Sequence, residues 1–144
     1  MNEIYVREAE AQDFPAVFGL MRNELGYPKL DEAEAFRRFT YLGQSDDWVT
    51  FVAVADGEVI GFIGVMKAMA LHIEGHYSQI MELAVSENTR RSGAGSALVK
   101  KAEEWAGSHG ISIIDVTSKF ERLGAHAFYE ENGYVKKSYK FTKL

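Results

Sequence analysis

The chain contains no cysteine. That excludes disulfide frameworks, thiolate metal sites and thiol nucleophiles together, and it fits a reducing compartment such as the cytoplasm. Proline is nearly absent: the only two, Pro15 and Pro28, fall in the first fifth of the sequence. No repeat, low-complexity segment or linker interrupts the remainder. No stretch approaches the ~20 apolar residues that a membrane span requires. The first ten residues carry four charges and no apolar core of a secretory signal, so no leader is expected. A basic excess is missing too. The formal net charge of -5 at pH 7 argues against a nucleic-acid binder and mildly favours cationic or amine-bearing partners.

What is present fits one globular domain. The 144 residues leave no room for a second core, and a hydrophobic content of 47% is ordinary for a folded protein. Residues 4–7 read as a first strand. From about Asp13, the apolar positions Phe14, Val17, Phe18, Met21 and Leu25 recur at helical spacing, with Pro15 in the tolerated first turn. Gly26-Tyr27-Pro28 stops that helix. Asp31 followed by Glu34 looks like a capping box; it opens a second helix with Phe36 and Phe39 inward. Residues 48–55 and 59–69 form two strands about Asp56-Gly57, the dipeptide of a tight type I′ hairpin. Residues 78–86 form a third strand of this group, apolar except for Gln79 and Glu82. A helix over 93–106, a buried strand over 111–117, a helix over 124–132 and a closing strand over 134–143 complete the chain. The order β-α-α-β-β-β-α-β-α-β predicts an α/β (α+β) mixed sheet with helices on its faces.

The segment richest in chemistry runs from Glu82 to Val99. An apolar strand enters a loop reading Arg90-Arg91-Ser92-Gly93-Ala94-Gly95-Ser96, and a helix follows. The glycines allow a tight turn and close approach of a ligand. The helix start offers unpaired N–H groups and a positive dipole end, the usual seat of a phosphate or pyrophosphate. Arg90 and Arg91 add charge-assisted donors. A lone Gly-x-Gly reads equally well as a flexible helix cap; the strand before it, the helix after it and the two arginines favour the anion cradle. The loop is not a Walker A motif, because the Gly-Lys-Ser/Thr ending is missing. It is not the dinucleotide fingerprint either, because Leu98 stands where the third glycine belongs.

This loop resembles motif A of the GCN5-related N-acetyltransferase (GNAT) family, Arg/Gln-x-x-Gly-x-Gly/Ala. A second segment, Ala125-His126-Ala127-Phe128-Tyr129 through Gly133-Tyr134, is similar to the family's Ala-x-x-Phe-Tyr-x-x-x-Gly-Phe, and the element order agrees over nearly the whole chain. The resemblance implies a GNAT-like acyl-CoA N-acyltransferase fold. It also implies acetyl-CoA as cosubstrate, held by the loop amides and by the backbone of Leu83, Ala84 and Val85, with Ala125 and Phe128 nearby. In such a fold the sheet splays between strands 78–86 and 111–117, a bulge falls at 83–85, and the Val85 N–H polarises the acetyl carbonyl. Glu82, the one ionisable side chain in its apolar strand, is then the candidate base for a protonated amine; otherwise it is a salt-bridged or exposed strand residue. Tyr129 matches the family's general acid for the leaving thiolate, with an aromatic core anchor as the alternative. Phe128 fills the packing role. Direct transfer needs no covalent enzyme intermediate, in keeping with the absent cysteine. One departure stands out: where many members carry asparagine, this chain has Arg122, a solvated charge or a contact to phosphate or an acidic substrate.

The resemblance places the acceptor between residues 24–31 and 70–79, with Glu24, Tyr27 and Asp31 lining it. His72, Glu74 and His76 fall at spacing two, so on a strand they share one face. They are read as a polar edge or loop in preference to metal ligands, since acetyl transfer requires no metal. His109 suits a helix-capping role and His126 a structural one. Length, the His-rich segment and the ending look like aminoalkylphosphonate N-acetyltransferases, and residues 125–139 look like aminoglycoside 6′-N-acetyltransferases. These imply opposite acceptor charges. The expected activity is acetylation of a primary amine on a small molecule. The alternatives are protein or peptide N-acetylation and a coenzyme A-binding module without turnover. If the chain self-associates, a homodimer is the expected form.

Overall fold

A computed structural model describes residues 3–144. Five strands form one sheet in the order β1-β2-β3-β4-β5. These are β1 (Ile4–Glu8), β2 (Trp48–Ala55), β3 (Glu58–Ala68), β4 (Tyr77–Val85) and β5 (Ile114–Val116), with helices α1 (Phe14–Asn23), α2 (Glu32–Gly43), α3 (Ala94–Ser108) and α4 (Leu123–Glu131). β1 to β4 are antiparallel neighbours. β5, reached through α3, joins parallel to β4.

Local sequence explains the boundaries. Asp56 and Gly57 both take positive φ, 53° and 78°, the type I′ geometry expected of their dipeptide. Asp31 caps α2 by accepting the Glu34 N–H at 2.9 Å. Arg7 clamps β1 onto the start of α1, donating to both carboxylate oxygens of Asp13 at 2.7 and 3.0 Å. The Glu10 N–H adds a third bond to Asp13, at 2.7 Å. Asp13 is 5% exposed, and the Arg7 hydrogen bonds outweigh its desolvation, holding its carboxyl below the ordinary range.

The sheet is covered on both faces. On one, Ile63, Val65 and Ile80 pack with Leu98, Val99 and Ala102 of α3, and Phe128 of α4 joins them. On the other, Val52, Val54, Phe62 and Ala84 pack with Val17 and Leu20 of α1. Phe14 and Phe18 of α1 meet Ala35 and Phe39 of α2 in a smaller cluster. Phe36, expected inward, is 43% exposed and touches Phe14 edge-on.

The closing strand expected over 134–143 does not form. β5 is only three residues long, so its free edge offers few ladder bonds. Val135, Tyr139 and Phe141 stay exposed between lysines 136, 137, 140 and 143, and without a buried face their alternation fixes no register. The β5 expectation of 111–117 also shortens, to three residues.

Candidate functional site

Pairing between β4 and β5 runs from Ser78–Ile114 to Ile80–Val116 and ends there. Beyond Ile80, the β5-facing edge of β4 is open. Backbone direction alternates along a strand. The Ser86 N–H bonds Ile60 O of β3 at 2.7 Å, and Ala84 turns its carbonyl toward Gly61 of β3. Leu83 and Val85 therefore direct their backbone groups into the gap. Ala84, between them, faces β3 and buries its methyl among α1 residues.

The bulge lies earlier than the resemblance implied. Gly64 pairs with Glu82 and Val65 with Ile80, leaving Met81 as the extra residue of β4; residues 83–85 are in regular register. The displacement has a side-chain consequence. With strict alternation Glu82 would share the α3 face with Ile80. One extra residue moves it to the α1 face, with Ala84. There its carboxyl lies over Gly64 beside the Trp48 indole. Burial alone raises its pKa from 4.5 to about 7, where a carboxylate can take a proton from an amine.

The loop after β4 turns through two left-handed residues, Arg91 (φ 67°) and Gly93 (φ 91°). A non-glycine residue held there costs about 1 kcal/mol or more. Gly93 is the N-cap of α3. The Ser92 hydroxyl accepts the Ala94 N–H at 3.4 Å, and Ala97 is the first residue whose N–H returns to Gly93 O, at 3.0 Å. The helix start thus exposes its first-turn amides around Gly95 and Ser96. Arg91, Gly93 and Ser96 are exposed, and Ala94 anchors the helix in the core. Gly95 makes a tight contact: a Cβ there would lie 3.1 Å from the Phe128 ring. The second glycine of the loop is thereby tied to the second sequence segment, since it admits Phe128 against α3. Ala125 and Tyr129 are half-buried on the same helix, α4. The Tyr129 ring meets Phe128 and Tyr134 edge-on, at 5.4 and 6.0 Å. Burial raises its pKa, opposed by the nearby Arg122 charge, so the hydroxyl keeps its proton at neutral pH.

The polar residues expected at the acceptor side are bonded elsewhere or exposed. Glu24 binds the cradle loop, accepting from Arg90 at 2.7 Å and from the Glu87 N–H at 3.2 Å. Asp31 is engaged as the α2 cap. Tyr27 is 52% exposed. His72, Glu74 and His76 lie in a turn containing Gly75 (φ 72°), not on a strand with a shared face. Among the described residues no group of three or more His, Cys, Asp or Glu is placed to hold a metal. His109 bonds the Trp105 carbonyl at 2.8 Å and closes α3; His126 bonds the Lys119 carbonyl at 2.8 Å. Sequence reasoning missed Met81, Gly64 and Trp48. The one available signal was Gly64 inside an apolar strand, which marks a close approach.

Comparisons with known proteins identify the family and the fold. A model of the Acetyltransferase (GNAT) family matches residues 6–134. The aminoalkylphosphonate N-acetyltransferase of Salmonella typhimurium is 32% identical over 143 residues, covering 96% of this chain and 89% of its own. Among solved structures, glucosamine-6-phosphate N-acetyltransferase from Arabidopsis thaliana superposes with a TM-score of 0.82 at 22% identity, covering 99% of each chain. An aminoglycoside 6′-N-acetyltransferase from Acinetobacter baumannii does so with a TM-score of 0.81 at 15% identity, also over 99% of each. These two likenesses show the fold. With the family match spanning most of the sequence and a relative at 32% identity spanning nearly all of it, the chain belongs to the GNAT acetyltransferase family.

Proposed function

We propose that this acetyltransferase is a single domain that moves the acetyl group of acetyl-CoA onto a primary amine of a small molecule by direct attack. The observation that carries the reading is the open edge of β4. It starts where pairing with β5 stops, runs to Val85 before the loop that leads to the exposed amides of α3, and has the partly buried carboxyl of Glu82 beside its origin. The residues fit the donor. Gly93 takes a left-handed turn that side chains rarely adopt, Gly95 lets α4 close on α3, and the first-turn amides suit a diphosphate. Acetyl-CoA supplies the acetyl group as an activated thioester.

Around it, this chain's groups divide the work. The amides from Gly93 to Ser96, with Arg90 and Arg91, bind the diphosphate. Leu83 and Val85 pair with the extended arm, and the Val85 N–H donates to the acetyl oxygen. Glu82, deprotonated near pH 7, accepts the proton that the attacking amine loses, directly or through water. Tyr129 donates its hydroxyl proton to the departing sulfur. One proton is taken and one is given, and no covalent enzyme intermediate is needed.

An aminoalkylphosphonate is the first acceptor to test, because the relative at 32% identity is named for that class. The experiment pairs thermal shift with acetyl-CoA and free CoA against thiol release on an amine panel that includes an aminoalkylphosphonate, an aminoglycoside and a peptide. Stabilisation rising with ligand concentration and thiol release on a small amine are expected. Release only with peptide would move the acceptor to proteins. Stabilisation without release on any amine would leave a binding module.

A further inference from the structure

A row of three residues crosses the sheet at the level of the bulge. Thr50 of β2 pairs with Gly64 of β3, and Gly64 pairs with Glu82 of β4. The middle position has no side chain, and its neighbours occupy the space. A Cβ on Gly64 would lie 2.6 Å from Glu82 Oε1 and 2.6 Å from Trp48 Cζ2. Real Cβ atoms do not come that close, so the carboxyl and the indole edge share a slot that exists only because residue 64 is glycine. Gly64 has no positive φ, so backbone conformation is not what requires glycine there. The indole is itself pinned, donating from Nε1 to Thr50 Oγ1 at 2.8 Å.

We propose that Gly64 and Trp48 are positioning residues: they form a slot, floored by glycine and walled by the indole edge, that fixes the Glu82 carboxyl on the α1 face at the origin of the open β4 edge. The catalytic consequence rests on reading Glu82 as the base. Trp48 keeps water from one side of the carboxyl, and Gly64 lets it lie flat on the sheet instead of being pushed outward. The charged groups on neighbouring elements do not replace this effect. Lys67 of β3 is engaged with Asp47 at 3.8 Å, and Arg22 of α1 lies over the Phe18 ring at 5.8 Å. Glu58 of β3 and Asp115 of β5 are exposed, and α3 with its lysines and glutamates covers the opposite face. Burial is the one cause of the displaced Glu82 titration.

The test follows the Glu82 side-chain carbon by NMR through a pH titration of the whole protein, with E82Q assigning the resonance. The wild-type midpoint is expected near 7. W48A admits water and is expected to lower the midpoint by about one pH unit or more, whereas W48F retains the wall and stays near wild type. G64A pushes the carboxyl outward and lowers the midpoint too. Because Gly64 lies inside the sheet and G64A can fail to fold, the W48A and W48F pair decides alone in that case. A W48A protein that binds CoA normally and titrates at the wild-type midpoint overturns the slot. Failure of the base reading looks different: E82Q would then keep wild-type thiol release on a responding amine, whatever the titrations show. With both readings correct, E82Q loses release, and the acid limb of kcat/KM in W48A moves down in pH with its NMR midpoint.

Discussion

Replacing Glu82 with glutamine is expected to leave stability almost unchanged near pH 4.5 and to raise it above pH 7. Burial moves the carboxyl from its ordinary 4.5 to about 7. At ~1.36 kcal/mol per pH unit, the displacement corresponds to ~3 kcal/mol of folding free energy. The sign follows from which state holds the proton. Between about 4.5 and 7 the native protein keeps a proton that the unfolded chain has lost. Stability therefore falls as pH rises through that window and levels off above it. Glutamine is nearly isosteric with the protonated acid and does not titrate, so the penalty disappears in the variant. Its advantage should grow from near zero at pH 4.5 to ~2–3 kcal/mol at pH 8.5, the lower figure allowing for the partial exposure that Glu82 retains. Urea denaturation of both proteins at four or five pH values measures it, and the titrations of all other groups cancel in the difference. An offset that does not change with pH would show that the Glu82 carboxyl is solvated in the native state, and the reasoning from burial to a raised pKa would fall with it.

Other expectations concern the donor side and the frame. Tyr129→Phe should lower turnover about a hundredfold or more, in the range of a lost general acid, with CoA affinity by calorimetry unchanged; wild-type turnover would remove the acid role. Gly93→Asp should abolish CoA binding, because φ 91° strains any side chain and a carboxylate there repels the diphosphate; undiminished affinity would remove the cradle. Asp13→Ala strands Arg7 and should cost ~2–3 kcal/mol in urea denaturation, the scale of hydrogen bonds to a charged group. The wild-type clamp is present above the ordinary Asp range and is lost as pH falls through the depressed native value, so the cost of the substitution should shrink as acid protonates Asp13.

The sequence was most legible where chemistry is local. Asp56-Gly57 dictated its hairpin through two positive φ angles, and Asp31 dictated the start of α2 through one hydrogen bond. The apolar spacing of α1 predicted its buried face, and motif A predicted a strand, a turn and a helix in the right places. What stayed hidden depends on partners distant in sequence. The bulge at Met81 is set by the pairing of β4 with β3, so an alternation count along β4 alone assigns Glu82 to the wrong face. Glu24 reads as an acceptor-side residue in the sequence, and its bond to Arg90, 66 residues away, is visible only in the fold. The closing strand failed for a related reason: residues 134–143 alternate, but β5 is too short to give them a register.

The two faces of the sheet constrain how the proposed reaction can be assembled. Glu82 lies with α1 on one face, whereas Phe128, beside Tyr129, packs with α3 on the other. A continuous sheet would separate an amine deprotonated on the first face from a sulfur protonated on the second. The gap beyond Ile80, where β4 and β5 part, is where the faces communicate, and the Val85 N–H points into it. The acceptor must then approach from the α1 side and the donor from the α3 side, with the acetyl group between them at the open edge of β4. On this geometry the bulge and the gap do one job. The single extra residue that turns Glu82 to the α1 face comes directly after the last β4–β5 pair, so base and opening begin at the same point on the strand. Deleting Met81 would place Glu82 directly after Ile80, so ordinary alternation would keep its side chain on the α1 face and remove only the bulge. Such a variant should bind CoA and keep transfer, because base and opening still begin at the same point; lost transfer at undiminished CoA affinity would show that the face of Glu82 is not what the reaction requires.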